Sequence, residues 1–120
     1  MKRVLVADDK ATSRELVRIA LEHCGYLVYE ASDGGEALNS ARELHPDLII
    51  LDLHMPGLDG FGVIQELRLD KELASTPVMA LTASAMQGDK ERAMAAGFTS
   101  YLAKPIRLAR LREEVERLLG

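Results

Sequence analysis

Tryptophan is absent from the 120 residues, phenylalanine occurs twice and tyrosine three times, so the interior must be filled by Leu, Ile, Val and Ala rather than by aromatic rings. The single cysteine, Cys24, excludes an internal disulfide. No apolar run approaches the ~20 residues of a membrane span, and the layout of a signal peptide is missing, which makes a reducing cytoplasm the expected setting. Positive charge is also scarce. Fifteen Lys and Arg against 19 Asp and Glu leave a net charge of −4, which gives no basic footprint for nucleic-acid phosphates. Neither nucleic acid nor a membrane is therefore expected as a partner of this domain alone. The rest is ordinary: 48% hydrophobic and 28% charged residues argue against disorder, and the length suits one domain over residues 1–120, without repeat, linker or low-complexity stretch.

Short apolar runs alternate with longer segments of helical period. Val4-Leu5-Val6-Ala7 reads as a buried strand that stops at two acids. A helix follows, with Leu16, Val17, Ala20, Leu21 and Cys24 on one face, Thr12 or Ser13 as N-cap and Gly25 as terminator. Leu27 to Ala31 is the second strand. Ser32-Asp33-Gly34-Gly35 reads as a turn and cap before a helix with inner face Ala37, Leu38, Ala41 and Leu44, closed by His45-Pro46. Leu48-Ile49-Ile50-Leu51 is the clearest central strand and ends at Asp52. The loop from Leu53 to Gly60 leads to a helix beginning near Phe61, where Gly62 should weaken the first turn. Val78 to Leu81, a helix from about Ala85 to Ala96, the strand Thr99 to Ala103 and a final helix facing inward through Leu108, Leu111, Val115 and Leu118 complete the chain. Strict βα alternation implies a doubly wound α/β domain, a parallel five-stranded sheet between two helix layers.

Ligands of such sheets bind beyond the carboxyl ends of the strands. There the sequence delivers Asp8 and Asp9 after the first strand, Asp52 after the third, Thr82 after the fourth and Lys104-Pro105 after the fifth. If the first and third strands are neighbours, three carboxylates converge. Crowded like charges demand a cation. Lys104 supplies one, and an oxygen-only ligand set with room for water suits Mg²⁺. A carboxylate beside two cations can attack phosphorus to form an aspartyl phosphate, with Thr82 donating a hydrogen bond to a phosphoryl oxygen.

The sequence resembles a CheY-like response-regulator receiver domain over its whole length, through Asp8-Asp9, the stretch Asp52-Leu-His-Met-Pro-Gly-Leu-Asp-Gly60, Thr82-Ala83 and Tyr101-Leu-Ala-Lys104-Pro105. The resemblance implies strand order 2-1-3-4-5, the order of CheY itself, which periodicity alone does not yield. It implies Asp52 as phosphoacceptor, with Mg²⁺ held by Asp9, Asp52 and the backbone carbonyl of His54, and by Asp8 through water. Lys104 would pair with the phosphoryl group, and Thr82 and Tyr101 would form a switch pair that remodels the face of the fourth helix, fifth strand and fifth helix. The donor would be a histidine kinase or a histidine phosphotransfer protein, and the recipient an unspecified downstream protein. The donor surface would be the first helix and the loop after Lys104, with Ala11, Ile106, Arg14 and Arg107 as candidates. A cis bond before Pro105 is also implied. His54 and Ser84 stand two residues after the acceptor and after the switch hydroxyl, where family members vary and where phosphate lifetime is influenced.

Blander roles compete at each position. Asp8 and Asp9 could be caps at a strand-to-helix turn, a reading weakened by the presence of Asp52. Asp59-Gly60 reads as turn and cap, outside the chemistry. Tyr101 is core filler or mobile switch, and only its spacing from Thr82 favours the second. His23, His45 and His54 share no metal-ligand spacing. Cys24 reads as packing, and Met55 and Met86 as packing or partner-surface residues. An aspartyl-nucleophile phosphatase of the haloacid-dehalogenase type would need an acid two residues after Asp52, where His54 stands, and a cap domain, so the chain is not expected to be a turnover enzyme. A phosphate-independent binding module of the same fold is opposed by the intact set of Asp8, Asp9, Asp52, Thr82 and Lys104.

Overall fold

The computed structural model describes residues 1–83 and 88–120. Its elements run β1 (Arg3–Ala7), α1 (Ala11–His23), β2 (Leu27–Ala31), α2 (Gly34–Leu44), β3 (Leu48–Asp52), α3 (Gly60–Leu69), β4 (Val78–Thr82), α4 (Asp89–Ala96), β5 (Ser100–Ala103) and α5 (Leu108–Leu119). All strand pairs are parallel and the order is β2-β1-β3-β4-β5, the doubly wound arrangement expected. Ser84 and Met86, and the expected start of the fourth helix at Ala85, lie outside the described residues.

Alternation along the strands builds two cores. Leu5, Ala7, Ile49, Leu51, Val78 and Ala80 pack against Leu38, Ile64 and Leu67 of α2 and α3. Their neighbours Val4, Val6, Leu48, Ile50, Met79 and Leu81 pack against Val17 and Leu21 of α1 and Leu111 and Val115 of α5. β1, β3 and β4 thus bury both faces, which is why they read as unbroken apolar runs.

The helix boundaries have local causes. Asp33 caps α2 by accepting from Glu36 N at 2.8 Å, and Asp59 caps α3 by accepting from Gly62 N at 3.0 Å, so the turn-and-cap reading of Asp59-Gly60 holds. Gly25, with φ of +91°, ends α1 as expected. Three local expectations fail. α1 starts at Ala11 with Lys10 as N-cap and no side-chain cap bond, rather than at Thr12 or Ser13. Leu16 is 46% exposed. Cys24 is exposed rather than packed, because α1 ends one residue before it and the chain turns away towards β2. Two glycines permit close approach: a Cβ on Gly34 would lie 1.9 Å from Leu58 O, and one on Gly60 would lie 2.9 Å from both Asp52 O and Leu53 Cα. These contacts press the loop after β3 against the start of α2 and back onto Asp52.

Candidate functional site

Register brings the acids together. Ala7 of β1 lies opposite Leu51 of β3, so the next residues, Asp8 and Asp52, leave adjacent strands side by side. One carboxylate oxygen from each of Asp8, Asp9 and Asp52 lies within 4.8 Å of the others. Asp8 and Asp52 are almost fully buried, whereas Asp9 is exposed at the mouth. Thr82 is buried at the end of β4, and its carbonyl accepts from Lys104 N at 2.7 Å, anchoring the end of β5. Lys104 Nζ then reaches Asp8 Oδ2 at 2.8 Å and Asp52 Oδ2 at 3.2 Å. The Lys104-Pro105 bond is cis.

Each acid is also held by backbone. His54 N donates to Asp52 Oδ1 at 3.1 Å and Lys10 N to Asp8 Oδ1 at 2.9 Å. Burial pushes the Asp52 carboxyl above its usual range. The His54 amide and Lys104 pull it down, and the Asp8 charge pushes it up again, for a net rise. Burial alone would lower Lys104, but the Asp8 hydrogen bond and the charges of Asp52 and Asp8 outweigh it and hold the ammonium form. Three carboxylates against one ammonium leave excess negative charge in an oxygen-lined cleft, a donor set that fits a hard divalent cation such as Mg²⁺. The side chain of His54 is exposed.

Tyr101 is partly buried against the α2–α3–α4 core and is paired in register with Ala80, two residues before Thr82. By strand alternation Thr82 follows Val78 and Ala80 onto the face that Tyr101 occupies. Met55 is buried, as a packing residue should be. The sequence marks Arg14 only as a docking candidate. Its guanidinium donates to the Asp8 carbonyl at 2.7 Å and pairs with Glu30 at 3.2 Å, bracing the loop that carries the acids. Its place one helical turn beyond Asp9-Lys10 is the available signal. Ser100 on β5 donates to Glu114 of α5, a tie that no sequence pattern discloses.

Among the described residues, no helix is long and apolar enough to cross a membrane. Residues 4–116 match the response regulator receiver domain model. The polar-differentiation response regulator DivK of Brucella ovis is 40% identical over 119 residues, covering 99% of this chain and 97% of its own. The solved structure of the chemotaxis response regulator CheY4 of Vibrio cholerae superposes with a TM-score of 0.93 at 34% identity, covering 99% of both chains. The receiver domain of a sensor histidine kinase of Pseudomonas aeruginosa PAO1, solved with a magnesium ion coordinated in its active site cleft, gives a TM-score of 0.92 at 34% identity, covering 99% of this chain and 98% of that one.

Proposed function

The chain belongs to the response regulator receiver family, a family of phosphorylation-dependent signalling switches, and from that premise we propose that residues 1–120 form a receiver that is phosphorylated on Asp52. The observation that carries this reading is the convergence of Asp8, Asp9 and Asp52 with Lys104 bridging two of them. Asp9, Asp52 and the His54 carbonyl, with Asp8 acting through water, would hold Mg²⁺, which supplies charge neutralisation for phosphoryl oxygens when bound.

The donor is a phosphohistidine on a histidine kinase or a histidine phosphotransfer protein. An Asp52 carboxylate oxygen forms the new P–O bond while the P–N bond to the donor imidazole breaks, and the electron pair stays on the leaving nitrogen. Lys104 exchanges part of its contact with Asp8 and Asp52 for a phosphoryl oxygen. The Thr82 hydroxyl donates to another, and Tyr101 turns inward behind it, reshaping the face of α4, β5 and α5 for a downstream protein. Such a domain assists its own phosphotransfer and hydrolysis without turning over a substrate, and works in the cytoplasm.

The test is intact mass after incubation with Mg²⁺ and a small acyl-phosphate donor. One phosphoryl group should appear in the wild type and be absent in Asp52→Asn and in chelator. A wild type that gains no mass and forms no stable beryllofluoride complex would overturn the reading in favour of a phosphate-independent binding module.

A further inference from the structure

Asp8 and Asp9 are neighbours in the chain but are held in opposite ways. Every polar atom of Asp8 is engaged: its N donates to Ala31 O at 3.1 Å, Oδ1 accepts from Lys10 N at 2.9 Å, Oδ2 from Lys104 Nζ at 2.8 Å, and the carbonyl from Arg14 Nη1 at 2.7 Å. The exposed side chain of Asp9 forms no hydrogen bond or ion pair among the described residues, yet its carboxylate lies within 4.8 Å of those of Asp8 and Asp52. Its place is therefore set through the backbone, and Arg14 holds the carbonyl of the peptide group that joins it to Asp8. Arg14 is itself fixed. Only 17% of its side chain is exposed, and its Nε pairs with Glu30 Oε1 at 3.2 Å, while Arg18 Nε lies 3.0 Å from the other oxygen of Glu30. Glu30 is on β2, one residue before Ala31, which receives the Asp8 amide. The guanidinium thus spans from β2 to the acid loop, using the planar fork of donors that lysine lacks. Engaged at both ends, it has little left to offer a docking protein.

We propose that Arg14 is a positioning residue for the divalent cation: by holding the Asp8–Asp9 peptide it presents the Asp9 carboxylate to the metal, while Glu30 aims the guanidinium and offsets its charge. The inference rests on the Mg²⁺-dependent receiver reading above and extends it to two residues that are not themselves ligands. Charge alone predicts the opposite sign. Removing a cation from beside a cation site should tighten metal binding, whereas removing an orienting contact behind a ligand weakens it, by roughly 10–100-fold. The direction of the change therefore separates the two effects.

Mn²⁺ shares the oxygen-ligand preference of Mg²⁺, and the loss of its free-ion electron paramagnetic resonance signal reports binding directly. Arg14→Gln should bind Mn²⁺ about tenfold more weakly than the wild type. Arg14→Lys, which keeps the charge but not the fork, should bind at least about threefold more weakly, and Glu30→Gln about threefold more weakly. Arg18 pairs with Glu15, Glu22 and Glu30 and does not touch the acid loop, so Arg18→Gln, the same charge change on the same helix, should stay within about twofold of the wild type. Phosphoryl uptake from the small acyl phosphate needs no docking protein. In Arg14→Gln its half-maximal Mg²⁺ concentration should rise in step with the Mn²⁺ dissociation constant, while the rate at saturating Mg²⁺ stays within about twofold of the wild type. A brace that serves only the fold would lower the melting temperature and leave metal affinity unmoved. If Arg14→Gln fails to fold without metal, Arg14→Lys and Glu30→Gln carry the test. Mn²⁺ binding in the Arg14 variants equal to or tighter than in the wild type, or an equal loss in Arg18→Gln, would overturn the proposal, as would a lower saturating rate with unchanged Mg²⁺ dependence. Wild-type protein that binds Mn²⁺ but takes up no phosphoryl group would instead bring down the switch reading and leave the positioning role standing.

Discussion

Lys104 faces two buried carboxylates with a single charge, and burial with the Asp8 charge leaves the Asp52 carboxyl shifted upward. A raised carboxyl favours the folded state below the ordinary carboxylate range, and that contribution is lost as pH rises through the folded value, because the ionised form is the disfavoured one. Near neutral pH the wild type therefore carries a strain that an uncharged isostere lacks. Asp52→Asn should raise stability by about 1 kcal/mol, or a melting temperature higher by about 4 °C, in metal-free buffer. The advantage should shrink as pH falls through the carboxylate range, and thermal unfolding followed by circular dichroism reads it directly. A lower melting temperature in the variant would mean that the Lys104 contacts outweigh the burial of Asp52. Steric fit at Gly34 gives a second test. Gly34→Ala would drive a methyl into the Leu58 carbonyl, and backbone cannot yield as a flexible side chain can. The expected loss is about 2 kcal/mol in denaturant unfolding, whereas Gly35→Ala, whose added Cβ would sit 3.5 Å from Asp33 Oδ1, should be neutral or better within a helix.

α5 is tied to β5 through Glu114, which accepts from both Ser100 and Arg117. The Arg117 and Ser100 hydrogen bonds hold its carboxyl down at about 2. A depressed carboxyl stabilises the fold above its ordinary value and loses that contribution as pH falls towards about 2. Glu114→Gln should therefore be less stable than the wild type at neutral pH and approach it on acidification, in paired urea titrations across that range. A difference independent of pH would locate the effect in shape rather than charge. Short unbroken apolar runs place β1, β3 and β4, and 3.6-residue periodicity the inner faces of α2 and α5, because those strands bury both faces and those helices one. Periodicity fails where an element ends or where a face is shared with solvent. Leu16 sits at a helical spacing from Ala20 yet is half exposed, and α1 begins at Ala11, after an N-cap Lys10 that makes no side-chain cap bond for a sequence signal to betray. The acids of the site are legible because strand ends are legible. The bracing role of Arg14 and the Ser100–Glu114 tie are not, since each joins residues from different elements through side-chain reach alone.

Over the whole molecule, the acidic cleft lies where four of the five strands end, so anything that binds there is linked to global stability. A ligand confined to the folded state at 100 times its dissociation constant adds about 2.7 kcal/mol. Mg²⁺ with beryllofluoride should raise the wild-type melting temperature accordingly, and much less so in Asp52→Asn. The distribution of that stabilisation is more informative than its size. β1 and β3 are central and buried on both faces, so their amides exchange only through global opening and should gain protection by the global increment alone. β5 is an edge strand paired only with β4, and α4 has eight residues with a glycine at each cap, which makes them candidates for opening below the global free energy. If Thr82 and Tyr101 transmit the state of Asp52, amide exchange in α4, β5 and the first turn of α5 must change by an amount different from the global increment, and must do so only with an intact Asp52. A uniform increment along the whole chain would mean that the cleft binds its ligand without driving a separate two-state element, and the switch would have to be sought at some face other than that of α4, β5 and α5.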